Sequence, residues 1–175
     1  LYHTAFLVPS RWELAQLVRR IAETRTPIQG HSNHHTHLAF YLPDAEAPLT
    51  GRPLVVMLHG CTQDADDVAR GTRLHELANR RGWMVLYPEQ PAQYNPKKCW
   101  NWYDPAHQGR DAGEPSLIAG MTRQAVAEHG GDPSRVFLAG ISAGAAMASL
   151  VAAAYPEQYA ALALHSGLVH GAARN

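Results

Sequence analysis

Apolar residues in this chain fall into short runs and helical stripes, and these set its elements. Leu54-Val55-Val56-Met57-Leu58 is a continuous apolar run between Pro53 and His59-Gly60. A run of that length predicts a strand buried on both faces of a sheet. Trp83-Met84-Val85-Leu86-Tyr87, stopped by Pro88, predicts a second such strand. Arg135 to Ala139 predicts a third, and Tyr159 to His165 a fourth buried one. Between the runs the spacing turns helical. Asp64 to Asn79 places Val68, Leu74, Leu77 and Ala78 inward, and Gly82 follows the closing arginines as a stop. Pro115 opens a helix with Leu117, Ile118, Met121, Ala125 and Val126 inward. An alanine-rich run, Ala145 to Ala154, predicts another. Upstream, Trp12, Leu14, Leu17, Val18 and Ile21 mark an amphipathic leading helix over 11–23, with Ser10 as its N-cap.

Strands alternating with helices predict the α/β class: a mainly parallel sheet, right-handed crossovers and helices on both faces. Two parts are expected, a helical lead-in over 1–30 and one catalytic domain over 31–175. The connection from Glu89 to Glu114 is long for a compact domain, and such loops are usually functional or disordered. Its Cys99-Trp100-Asn101-Trp102-Tyr103 core argues for order.

Composition narrows the picture only where it excludes something. The 175 residues are 46% hydrophobic and 17% charged, enough for one domain with a sizeable core. Fifteen basic and fifteen acidic side chains cancel, so no basic footprint points to nucleic acid. No apolar run approaches the roughly 20 residues of a membrane span. His31, His34, His35 and His37 form the densest histidine cluster. A metal site there is weighed against a polar strand edge, and the edge is preferred, because no cysteine is near and the closest carboxylate is Asp44. No metal and no cofactor are expected.

The candidate chemistry lies at Gly140-Ile141-Ser142-Ala143-Gly144. This G-x-S-x-G follows a predicted strand and opens a predicted helix, the context of a nucleophile elbow. The turn strains its central serine and exposes the hydroxyl. Side chains at Gly140 or Gly144 would collide with the neighbouring strand and helix. A serine nucleophile needs a base, an orienting acid and donors for the oxyanion. One donor is the Ala143 N–H at the helix start; the second is expected from the His59-Gly60-Cys61 turn, from Cys61 or alternatively Gly60. His59 precedes the serine and is read as structural rather than as the base. No Asp follows Ser142, the one later acid is Glu157, and the later histidines are His165 and His170. The acid and base are therefore not completed within these residues, and the chain is expected to stop short of the strands that carry them.

LVVMLHGCTQ at 54–63, VLYPEQ at 85–90, CWNWYD at 99–104, GEPSLIAGM at 113–121, DPSRVFLAGISAGAAM at 132–147 and LHSGL at 164–168 together resemble the polyhydroxybutyrate depolymerase-type esterases. Feruloyl and acetylxylan esterases are relatives of that family. The resemblance covers about residues 35–171. It implies an α/β-hydrolase-type sheet cut short after the strand that follows the nucleophile helix. It also implies a secreted or periplasmic serine hydrolase of polyesters or other carboxylic esters, with Ser142 as nucleophile and Cys61 and Ala143 as oxyanion donors. The family's catalytic Asp and His fall after the LHSGL region and have no counterpart here.

Trp100, Asn101 and Trp102 follow a strand end, where α/β sheets bind ligands. Trp100 and Trp102 are proposed to line the ester cleft, the alternative being core aromatics that anchor the long loop. Cys61 and Cys99 both follow strand ends, so a disulfide between them is weighed against two buried thiols. An exposed sheet edge is expected after the last strand. Two other readings stay open: a non-catalytic hydrolase-like protein that binds an ester or partner, and a hydrolase using His165 as base.

Overall fold

The computed structural model describes residues 31–33, 38–41, 50–168 and 170–171. The expected leading helix and the histidines at 34, 35 and 37 lie outside the described residues.

The strands are β1 (His31–Asn33), β2 (Leu38–Tyr41), β3 (Arg52–Leu58), β4 (Met84–Pro88), β5 (Gly131–Ile141) and β6 (Ala161–His165). The helices are α1 (Ala65–Thr72), α2 (Leu74–Arg81), α3 (Gly113–Glu128) and α4 (Ala143–Ala154). The sheet order is β1-β2-β4-β3-β5-β6. β1 and β2 run antiparallel, β2 pairs antiparallel with β4, and the four strands from β4 to β6 are parallel.

Period-two alternation explains why these strands are apolar throughout. Leu54, Val56, Leu58, Met84, Leu86, Val136 and Leu138 share one core with Ile118 and Ala119 of α3 and Met147, Ala148 and Val151 of α4. Met57, Val85 and Tyr87 join a second core with Val68 and Ala69 of α1 and Ala78 of α2. A residue such as Leu58, fully buried, contributes about 2–3 kcal/mol.

Four expectations are corrected. The helix expected over Asp64–Asn79 is two helices, because Arg73 adopts the left-handed conformation (φ 49°) between them. Asp64 caps α1 through a reciprocal capping box with Asp67. Leu77 and Leu117, expected inward, are exposed. The strand expected to be buried, β6, is exposed along its length, with Leu162 and Leu164 facing solvent at 40% and 48%. Its one paired strand among the described residues is β5. α3 starts at Gly113, two residues before Pro115, which therefore sits in its first turn.

The chain passes from β3 to β4 on one side and later from β5 to β6 on the other. Strand order thus reverses between β3 and β5, and ligand crevices form outside the carboxyl ends of strands at such a switch point. The 59–63 turn and Ser142 both leave the sheet there.

Candidate active site

Ser142 joins β5 to α4 with φ 55° and ψ −120°, a conformation that costs a non-glycine residue roughly 1–3 kcal/mol. The packing around it dictates that turn. A Cβ on Gly140 would overlap the main chain of Gly144, and a Cβ on Gly144 would overlap the carbonyls of Leu58 and His59. The two glycines therefore let the start of α4 press onto the end of β3. The Ser142 N–H donates to the carbonyl of His165 at 2.9 Å, tying the elbow to the end of β6. The Ser142 residue is exposed.

Ala143 is the first residue of α4, so its N–H has no acceptor within the helix. The helix dipole adds partial positive charge at the same point. Gly60 approaches from β3: a Cβ on it would stand 3.4 Å from the Ser142 Cβ. The Gly60 N–H donates to Gln63 Oε1 at 2.8 Å and is therefore occupied. Gly60 is the alternative of the two donors expected from this turn.

Cys61 is joined to Cys99 by a disulfide, with Cα atoms 4.2 Å apart. The bond couples the 59–63 turn to the 99–103 segment. Trp100 is 2% exposed and belongs to the core; its indole N–H donates to the His59 carbonyl at 3.1 Å. So buried a side chain packs behind a cleft and does not form its surface. Asn101 is engaged at both ends of its amide, donating to Glu114 Oε1 at 2.6 Å and accepting from Asn95 Nδ2 at 2.9 Å. Trp102 is half-buried and meets Tyr103 edge-on, with ring centroids 5.6 Å apart.

His59 is fully buried. Its Nδ1 lies 2.7 Å from the Gly60 carbonyl, and its Nε2 accepts the Gln90 N–H at 2.9 Å. Burial pushes the imidazole below its ordinary pKa, outweighing the Gly60 bond and the carboxylates of Glu89 and Asp64. Gln90 and Glu114, both 4% exposed, complete a buried polar network that the sequence reading does not contain. Its partners come from segments far apart in the chain, so no local pattern marks it.

Glu157 forms an exposed ion pair with Arg110 at 2.5 Å. It is occupied there rather than at the elbow. The His165 imidazole contacts Ser166 Oγ at 3.0 Å. Among the described residues there is no cluster of three or more potential metal ligands, and no helix is long and apolar enough to cross a membrane.

The switch point, the strained serine and the glycines around it sit in an α/β-hydrolase-type sheet. The profile of the family described as "Esterase PHB depolymerase" matches residues 36–175, and this chain belongs to that family. It is 42% identical over 115 residues to "Poly(3-hydroxyalkanoate) depolymerase C" of Paucimonas lemoignei, covering 66% of this chain and 28% of that protein. It is 39% identical over 131 residues to "Feruloyl esterase B" of Neurospora crassa, covering 74% of this chain and 43% of that protein. The solved acetyl xylan esterase of Aspergillus awamori superposes with a TM-score of 0.72 at 27% identity, over 86% of this chain and 54% of that one. The chain thus spans about half or less of the length of these proteins.

Proposed function

We propose that this chain carries the nucleophile and the oxyanion donors of a serine carboxylic-ester hydrolase. The observation that carries the reading is the exposed, strained Ser142 at the start of α4, faced by Gly60 across the β3–β5 switch point. Ser142 Oγ attacks the ester carbonyl carbon and gives up its proton to a general base. The carbonyl oxygen becomes an oxyanion between the N–H groups of Ala143 and Cys61. Collapse expels the alcohol and leaves an acyl group on Ser142, which water then removes. Each donor is worth roughly 3 kcal/mol in the transition state. The general base and its orienting acid are assigned to no residue of 1–175, since the α/β-hydrolase order places both after the serine and no Asp follows it.

The similarity to a poly(3-hydroxyalkanoate) depolymerase supports a polyester of 3-hydroxy acids as substrate, with Trp102 as the aromatic wall. Feruloylated or acetylated sugars are the second reading, favoured by the likeness to feruloyl and acetylxylan esterases. The Cys61–Cys99 disulfide supports an oxidising compartment, extracellular or periplasmic.

The test uses the enzyme expressed from its complete reading frame. Hydrolysis of p-nitrophenyl butyrate, with a burst of p-nitrophenol stoichiometric with enzyme, is expected and is lost in Ser142→Ala. Unchanged turnover in that variant overturns the reading. A reading frame without a later Asp and His would favour a non-catalytic ester-binding protein.

A further inference from the structure

We propose that Glu114 is a positioning residue for the oxyanion turn, acting through Gln90 and His59 on the peptide unit between Gly60 and Cys61. The inference rests on the assignment of the Cys61 N–H as an oxyanion donor.

The relay begins at a buried carboxylate. Glu114 stands at the second position of α3 and accepts three hydrogen bonds: Gln90 Nε2 at 2.6 Å, Asn101 Nδ2 at 2.6 Å and the Asn101 N–H at 2.8 Å. The carboxyl oxygens thus act as acceptors for donors on Gln90 and Asn101. His107 Nδ1 accepts the Glu114 N–H at 3.0 Å and lies 3.7 Å from Glu114 Oε1. Three short donor contacts at the start of α3 hold the carboxyl group in place.

With its side chain fixed on Glu114, Gln90 points its own backbone N–H at His59 Nε2. That bond makes Nε2 an acceptor and puts the imidazole proton on Nδ1. The Nδ1–H then donates to the Gly60 carbonyl at 2.7 Å. The Gly60–Cys61 peptide is trans and planar, so its N–H points opposite its carbonyl. Fixing the Gly60 oxygen therefore fixes the direction of the Cys61 N–H. The Trp100 indole braces the same turn from behind through the His59 carbonyl.

A donor misaimed by a rotated peptide loses stabilisation in the transition state while substrate binding is kept. In the enzyme from its complete reading frame, Glu114→Gln presents an amide N–H to neighbours that already donate. It is expected to lower kcat on p-nitrophenyl butyrate about 10- to 100-fold with KM within twofold. His59→Asn keeps a side-chain donor near the Gly60 oxygen but cuts the link to Gln90. In that background Glu114→Gln is expected to cause no further loss in kcat. Parallel changes in kcat and KM, an unchanged kcat, or losses that multiply in the double variant each overturn the relay. Where Glu114→Gln does not fold, Gln90→Met takes its place with the same expected split. Failure of both to fold overturns the assignment, since the network is then only scaffold. Activity that survives Ser142→Ala defeats the esterase reading itself. Activity lost there, with kcat intact in the network variants, defeats only this inference.

Discussion

Gly144 stands so close to Leu58 that a Cβ on the glycine would overlap the leucine carbonyl. This contact seats α4 on the central strand β3 and leaves no room for any side chain. Gly144→Ala is expected to push α4 off β3, lowering stability by about 1–3 kcal/mol and abolishing ester hydrolysis. Urea unfolding gives the first quantity and initial rates the second. Wild-type activity in that variant would mean the seat is not needed.

The strain at Ser142 predicts a difference between two inactive variants. Ser142→Ala keeps the φ of 55° on a residue with a Cβ, whereas Ser142→Gly removes that penalty. The glycine variant is expected to be more stable than the alanine variant by about 1 kcal/mol in denaturant titrations, although glycine ordinarily destabilises. The reverse order would show that the surrounding packing, not the backbone, governs this site.

Reduction of the disulfide is expected to act on stability and on turnover together. The bond closes a loop with a sequence separation of 38, which corresponds to about 3–4 kcal/mol in the chain-entropy account. Because one of its ends is the proposed oxyanion donor Cys61, a double Cys61→Ala, Cys99→Ala variant is also expected to lose kcat more than KM. Differential scanning calorimetry and steady-state rates at a temperature where the variant is folded separate the two effects.

Acid is expected to weaken the fold in a defined window. Burial holds His59, and to a lesser degree of enclosure His129, below the ordinary histidine pKa. Both bind protons more readily unfolded, near pH 6.5, than folded. Stability is therefore level above about pH 6.5 and falls as the pH drops below it towards the folded values. The Asp132 carboxyl, held down at about 2 by Ser134 and Arg135, titrates well below this window. Urea midpoints are expected to be lower at pH 5.5 than at 7.5, and the slope is expected to flatten in His59→Asn. An unchanged slope there would assign the effect to other groups.

The strands at 54–58 and 83–87, the elbow and the family were legible in the sequence because each depends on neighbours in the chain. Leu54 to Leu58 are apolar without alternation because the strand is covered on both faces. The G-x-S-x-G glycines are required by contacts within a few residues or with one strand end. The break at Arg73 was not legible, since nothing in its side chain favours a left-handed conformation. β6 reads as buried from its composition, yet its neighbours are β5 on one edge and α4 on one face. The role of Trp100 and the network around Glu114 were hidden for another reason. Their partners, His59 on one side and Gln90 and Asn101 on the other, come from two separate connections, after β3 and after β4, and only the closed sheet brings them together.

The pairing of β3 with β5 sets Leu58 opposite Gly140, although the two are far apart in sequence. Closing such a long loop is a slow step relative to forming local helices. Both proposed oxyanion donors, Cys61 and Ala143, lie just beyond that pair, so on the proposed mechanism no partly folded form with separated strands is expected to turn over an ester. Recovery of activity during refolding therefore times the closing of the central strand pair, and it should lag behind the return of helical circular dichroism.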